Sequence, residues 1–199
     1  LVRVAVGDHI LLGGDNMDLA LAHAVRAKLA EQGTQLDAWQ LQGLTHGCRS
    51  AKETLLSDAS VDAVPVVVPS RGSRLIGGTL RTELTRDEVA RTLVEGFFPI
   101  VDASARPAIR ARAALTKLGL PYAQDAAMSR HLAAFLGRQV EATRNLAGFE
   151  NRLPEHASFL HPTAVLFNGG VFKAHSLLER TLDLLNGWLT AESAPPARL

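Results

Sequence analysis

Two glycine pairs constrain this chain more than any other feature. Gly13-Gly14 and Gly169-Gly170 each stand between a short apolar run and a stretch with helical periodicity. Glycine admits positive φ and lets a ligand or a second backbone approach closely. A helix starting just behind it offers free N–H groups and the positive end of a dipole. Such joints suit a phosphate or a nucleoside. They also suit tight strand-to-helix packing with no ligand, since Gly-Gly alone is not a motif. Either way the expected class is α/β.

The flanking patterns support two such joints. Val2, Val4 and Val6 alternate with Arg3 and Ala5, a half-buried strand pattern. Gly7-Asp8-His9 then reads as a turn. A helix follows, with Asp15 as its expected N-cap, Asp18 adding negative charge to its first turn and Gly33 as its end. Met17, Leu21, Val25 and Leu29 recur every fourth residue and form its apolar face. A second helix is predicted over residues 36–56, its stripe being Leu41, Leu44, Cys48, Ala51 and Leu55. Residues 60–68 read as an edge strand because they contain Pro65. A turn at Ser70-Arg71-Gly72-Ser73 and a returning strand over 74–81 would complete a hairpin. Thr85-Arg86-Asp87-Glu88 is a capping box opening a helix through Val89, Leu93 and Phe97 to Pro99.

Beyond Pro99 the patterns are looser. Residues 104–118 read as a helix with Pro107 in its first turn, broken by Gly119-Leu120-Pro121. Asp125 is the expected cap of another helix, with Met128, Leu132, Phe135 and Leu136 on its apolar face. Residues 145–162 read as a loop. Thr163-Ala164-Val165-Leu166-Phe167 is a short strand pattern fit for burial on both faces. It leads into the second glycine pair and a helix over 174–189. Ser193-Ala194-Pro195-Pro196 reads as a disordered tail or linker.

Composition excludes several function classes. Of 199 residues, 47% are apolar, and 21 basic against 20 acidic residues leave a net charge of +1. That balance argues against intrinsic disorder and against charge-driven binding of nucleic acid or a membrane surface. The lone cysteine, Cys48, rules out an internal disulfide and a cysteine-cluster zinc site, and fits a reducing, cytoplasmic compartment. No apolar run approaches the roughly 18 residues of a membrane span, and no signal-peptide pattern is present. The opening Leu1-Val2-Arg3-Val4 has no initiator Met and reads as a strand entered in mid-element, so the expectation is a fragment of a longer chain.

Other chemistry is weakly signalled. His46, His156, His161 and His175 lack metal-site spacing. No nucleophile elbow, Walker loop or Gly-x-Gly-x-x-Gly is present, and nothing places Ser, His and Asp together. Arg106, Arg110, Arg112 and Lys117 have no interleaved aromatics and read as a solvated helix face. Lys52, with Arg49 and Glu53 beside it, could donate to sugar hydroxyls or phosphate. Arg49 and Glu53 also have the spacing of a surface ion pair.

Three segments, in this order, resemble the nucleotide-binding domain of the heat-shock protein 70 (DnaK-like) family. The run from Gly7-Asp8 through Leu12-Gly13-Gly14-Asp15-Asn16-Met17-Asp18 is similar to the family's Gly-Asp…Leu-Gly-Gly-Glu/Asp-Asp-Phe-Asp. Cys48-Arg49-Ser50-Ala51-Lys52-Glu53-Thr54-Leu55-Leu56-Ser57 resembles its Glu-x-Ala-Lys-x-x-Leu-Ser helix. Val165-Leu166-Phe167-Asn168-Gly169-Gly170 resembles its Val-Leu-Val-Gly-Gly-Ser strand and turn. Leu84-Thr85-Arg86-Asp87-Glu88 is similar to the family's Ile-Thr-Arg-x-x-Phe-Glu stretch between them. The likeness covers residues 1–98 and 163–190, and 99–162 run longer than the family's connection.

The resemblance implies half of an actin-like ATPase (ribonuclease H-like) fold. Residues 1–13 would be a lobe IIA strand and turn, 14–98 lobe IIB, and 99–162 a helical insertion. Residues 163–190 would be the lobe IIA strand, Gly-Gly turn and helix, and 191–199 a tail. It implies ATP or ADP as ligand, with Lys52 on the ribose hydroxyls, Gly169 and Gly170 against the nucleoside, and Gly13-Gly14 near the phosphates. Lys173 stands where the family has an Arg stacking on adenine, which keeps the charge and loses the planar face. Arg49 replaces a ribose-binding Glu, and Glu53 replaces a second stacking Arg. Leu56 and Val171 each replace a Ser. The family's catalytic Lys, phosphate loops and Mg²⁺-ordering Asp residues lie outside these segments. The implied role is therefore a chaperone ATPase fragment that supplies the adenosine side of the cleft and is not catalytic alone. Mg²⁺ would be held only with the missing lobe. The implied partners are adenine nucleotide and, through the parent chain, a co-chaperone or client protein. The alternatives are a nucleotide-free protein-interaction module of the same fold and a sugar-kinase-like member of the superfamily.

Overall fold

The helices expected over the first hundred residues are all present, with Leu41 of the second stripe only half-buried. The computed structural model describes residues 3–68, 80–108, 125–148 and 153–199. Helix α1 spans Gly14–Glu31 and α2 spans Ala38–Ser57. Strand β1, Ala63–Val68, pairs antiparallel with β2, Leu80–Thr85, in the register Ala63↔Thr85 to Val68↔Leu80. The expected turn at Ser70–Ser73 and most of the returning strand lie outside the described residues. Helix α3, Arg86–Val89, widens into a π-helical segment, Ala90–Glu95, and stays helical to Phe97 ahead of Pro99. Then come α4, Met128–Arg138, α5, Val140–Arg144, a 3₁₀ turn, Val171–Lys173, and α6, His175–Ala191.

The chain divides into two compact units. The first is Gly13–Gly96 with Lys173–Ser176, here the hairpin unit. The second is Leu1–Leu12, Phe97–Phe172 and Leu177–Leu199, here the α6 unit.

In the hairpin unit, local caps start each helix. Asp37 accepts from the Gln40 N–H at 2.8 Å, and Gln40 accepts in return from the Asp37 N–H at 3.1 Å. Thr85 and Glu88 form the same reciprocal box, with Thr85 N–H donating to Glu88 at 2.8 Å. These bonds satisfy donors that a helix start leaves open. Helix α1 differs from expectation. Its N-cap is Gly13, whose N–H donates to Asn16 Oδ1 at 2.8 Å, while Asp15 lies within the first turn. Gly33 ends α1's loop at φ +83°, the left-handed region that favours glycine.

The buried stripe of α1 is Met17, Leu21, Val25 and Leu29, each no more than 1% exposed. It packs against the α2 stripe of Leu44, Cys48, Ala51 and Leu55. On its other side α2 meets β1, whose Val66 and Val68 point inward while Pro65 and Val67 point out. Gly47 makes that approach possible, because a methyl there would stand 2.9 Å from Val66 Cγ1. Arg86 donates to the carbonyls of Leu55, Asp58 and Val61, tying off the end of α2.

The α6 unit departs further from the sequence patterns. Residues 3–6 are not a strand, and among the described residues they have no ladder partner. Residues 163–167 are not a strand either. Ala164 makes one isolated parallel bridge with Arg198. Strand patterns register only side-chain character, while a strand exists only where a second backbone supplies hydrogen bonds. The tail corrects a third expectation. It docks, with Ala197 N–H donating to Asn186 Oδ1 at 2.9 Å and Arg198 N–H to the Thr163 carbonyl at 3.0 Å. Of the expected helix over 104–118, residues 104–108 are not helical and the rest lie outside the described residues. On α4 the buried positions are Ser129, Ala133, Ala134 and Leu136, with Met128, Leu132 and Phe135 half-buried. Small residues let the helix approach closely, so the most buried face is not the most apolar one. The core of this unit joins Ala133 and Leu136 to Phe159, Leu184, Leu185, Trp188 and Leu189.

Candidate functional site

The sequence-predicted positions fall into two groups, one in each unit. In the hairpin unit, Lys52 occupies the middle of α2 and faces the start of α1. Its Nζ lies 3.4 Å from the Gly14 carbonyl and 2.5 Å from Asp18 Oδ1. The carboxylate contact is a close ion pair without the angles of a hydrogen bond. Both side chains are at least nine-tenths buried. The i+4 spacing along α1 carries Asp18 inward one residue after Met17, so the expected first-turn charge sits inside the unit. Of the ammonium's donors, one is accepted by the Gly14 carbonyl, while Asp18 supplies the compensating charge. Removing either charge would leave the other buried and unpaired, which costs about 3–5 kcal/mol.

Outside this pair runs an exposed set. Arg49 Nη1 lies 3.9 Å from Asp15, and its Nε lies 3.4 Å from Glu53 Oε1. All three side chains are more than half exposed, so the contacts are worth a few tenths of a kcal/mol at most. Arg49 and Glu53 thus pair with one another and with the helix start. Gly13 has no atom within 4 Å of where a Cβ would stand, and Gly14 has only Lys52 Nζ at 3.6 Å. Both glycines are half-buried. Cys48, one turn before Lys52, is fully buried. Burial first, then the Asp18 and Glu88 charges, pushes its thiol up to about 12, so it carries no nucleophilic chemistry in the folded unit.

In the α6 unit, Gly169 has φ +98°, and neither it nor Gly170 has any atom within 4 Å of a Cβ position. Both are exposed. Asn168 Oδ1 accepts from the Gly169 N–H at 2.8 Å and shapes the turn. Two phenylalanines flank the turn in the chain. Phe167 and Phe172 stand with ring centroids 4.7 Å apart, and Phe172 meets Phe98 edge-on at 6.2 Å. Lys173, exposed, groups with the hairpin unit. Leu56 is half-buried on α2, and Val171 half-buried in the 3₁₀ turn.

Sequence reasoning missed one polar cluster. Ser158, His161 and Glu192 meet in the α6 unit. Ser158 Oγ donates to Glu192 Oε1 at 2.5 Å, and His161 Nε2 lies 2.7 Å from Glu192 Oε2. Burial acts to raise the Glu192 carboxyl, but the bonds from Ser158 and His161 outweigh it and hold it below the usual range. The carboxylate stands between the other two, so the imidazole does not receive the serine proton as a hydrolase relay requires. The cluster fastens the 153–161 loop to the end of α6. Glu192 lies more than thirty residues along the chain from Ser158 and His161, and no local spacing signals its part in the cluster.

His46, His156 and His175 are exposed, and among the described residues no three His, Cys, Asp or Glu side chains are grouped to hold a metal. Arg106 is exposed and donates to the Ser104 and Ala105 carbonyls, while Arg110, Arg112 and Lys117 lie outside the described residues. No described helix is long and apolar enough to cross a membrane. No known protein-family model matches the chain, and no curated protein matches it.

Proposed function

We propose that this chain is the adenosine-side half of an actin-like, DnaK-related ATPase cleft, binding ATP or ADP without hydrolysing it alone. One observation carries this reading. Lys52 Nζ reaches the Gly14 carbonyl across 38 residues of sequence, so the first glycine pair and the Ala-Lys helix motif converge in one unit. In the hairpin unit, Gly13 has open space where a Cβ would stand and the Lys52 ammonium faces the Gly14 carbonyl. In the α6 unit, the exposed Gly169-Gly170 turn has the same open space. Lys52 would bond the ribose hydroxyls. In this reading the parent protein is a cytoplasmic chaperone, and co-chaperone or client contacts belong to the rest of it. Aiming charge at a γ-phosphate needs groups that these residues do not include.

A second reading has its own observation. Lys52 is held by Asp18, and Arg49 by Asp15 and Glu53, so the charged side chains proposed to meet the ligand are already paired within the hairpin unit. That suits a protein-interaction module that keeps the fold without nucleotide. Amide hydrogen exchange with and without millimolar ADP separates the two. Slowed exchange over residues 13–17 and 49–56 is the expected result. Unchanged exchange there would leave the interaction module standing.

A further inference from the structure

The segment after α6 leaves the helix as a separate arm. Glu192 is its fixed post, fastened to Ser158 and His161. The chain turns at the next residue. Ser193 has φ +56°, the sole non-glycine residue at positive φ among the described residues. A side chain there costs free energy that glycine would not. Pro195 and Pro196, both exposed, then stiffen the arm. Its far end sits in an acceptor made by α6 and residues 163–165. Ala197 is buried in the core cluster that holds Trp188 and Leu189. Its N–H donates to Asn186 Oδ1 at 2.9 Å. Arg198 N–H donates to the Thr163 carbonyl at 3.0 Å, and Val165 N–H donates to the Arg198 carbonyl at 2.8 Å. The acceptor thus takes one small side chain and the backbone beside it, in the manner of strand addition to an open edge.

We infer that this arm, residues 193–198, is exchangeable: the acceptor of one copy takes the arm of a second copy of this chain, and two copies pair by reciprocal exchange. Three observations carry it. The acceptor fits this sequence, because the arm occupies it within one chain. The turn at Ser193 stores a cost that straightening would release, and a strained hinge favours exchange. The two prolines leave a released arm little freedom to lose on seating again. Within one copy the short tether holds the arm at an effective concentration of about millimolar, so the wild type exchanges only when crowded to that level.

Light scattering on the size-separated whole chain tests this. Proline holds φ at about −65° and lacks the N–H that Ser193 donates to the Thr190 carbonyl, so Ser193→Pro cannot make the turn. It should form a dimer at concentrations roughly tenfold or more below those the wild type needs. Ser193→Gly, which removes the cost of the turn, should dimerise less than the wild type. Ala197→Asp places a charge in the apolar socket, so Ser193→Pro combined with Ala197→Asp should be monomeric. Circular dichroism confirms that each variant is folded. A folded Ser193→Pro chain that stays monomeric overturns the exchange. A dimer that persists in the double variant also overturns it, since another surface would then join the copies. Should Ser193→Pro fail to fold, the wild type and Ser193→Gly decide the matter when refolded from urea at about millimolar concentration. The wild type should hold more dimer, and equal dimer content, or none in either, overturns the inference.

Discussion

The two units satisfy their polar groups in opposite ways. In the hairpin unit most of the partners are close in sequence or lie on adjoining helices. Its caps span three residues, its apolar stripes recur every three or four, and one ion pair is sealed between α1 and α2. The α6 unit is held by single bonds that reach across long loops. Trp188 Nε1 donates to the Val101 carbonyl at 2.7 Å, 87 residues away. Arg144 gathers the carbonyls of Pro154, Glu155 and Ala157. Regular elements can be stabilised by propensity and periodicity, while irregular chain must find an individual partner for each buried group.

The largest expected effect comes from breaking the sealed pair. Lys52→Met leaves Asp18 as a buried, unpaired carboxylate and should cost the hairpin unit about 3–5 kcal/mol. Urea denaturation with residue-resolved hydrogen exchange would show it. The double variant Lys52→Met with Asp18→Leu should recover most of the loss. If the single variant alone costs under about 1 kcal/mol, the pair is not sealed from water as described. The same result bears on ligand assays, because a Lys52 substitution weakens the fold along with any ribose contact.

Next is Trp188→Phe in the α6 unit. It keeps an aromatic ring in the core and removes the donor to Val101, so a loss of about 1–2 kcal/mol is expected. Hydrogen exchange should rise in the α6 unit and not in the hairpin unit. A uniform rise across both would mean that they unfold as one body.

The smallest effect is in pH dependence, and it should divide by unit. Burial acts to raise Glu88, but bonds from Lys28 and Thr85 outweigh it and hold its carboxyl low. Glu192 is held low in the α6 unit by Ser158 and His161 against the same opposing burial. A carboxyl lowered by folding stabilises at neutral pH. That contribution is complete above its unfolded value, near pH 4.3, and is lost as pH falls through the lower folded value. Glu88→Gln should therefore flatten the acid limb of hairpin-unit stability, and Glu192→Gln that of the α6 unit. Thermal melts from pH 6 to pH 3 provide the check. An acid limb that keeps its slope in both variants would assign acid sensitivity elsewhere.

The comparison also explains what was legible beforehand. The α1 stripe, the α2 stripe from Leu44 on and the Thr85 box could be read because each is a spacing of three or four residues, and Gly33 because glycine favours the left-handed end of a helix. Asp18 was readable as a helix charge but not as a buried one, since its partner lies 34 residues on. Val4 and Val6 carry a true alternation and residues 163–167 a continuous apolar run, yet neither pattern supplies a neighbouring strand. The Ser-Ala-Pro-Pro tail has the composition of a linker, and it docks because Asn186 and Thr163 offer it partners that composition does not register. Of the candidate site, only the residue types follow from the motifs, while the Gly14–Lys52 contact spans 38 residues and has no local signal. The pairing of Lys52 with Asp18, and of Phe167 with Phe172, needed coordinates.

Cys48 gives this molecule a built-in clock. It is the sole thiol in the chain, shut inside the hairpin unit and protonated at any ordinary pH. An alkylating reagent meets a reactive thiolate only in the interval when α1 and α2 part, as the sulfur then returns toward the acidity of a free cysteine. The labelling rate, followed by mass alone and with no engineered probe, thus counts openings of one unit. Any ligand that grips α1 and α2 together must slow that count, whatever its identity.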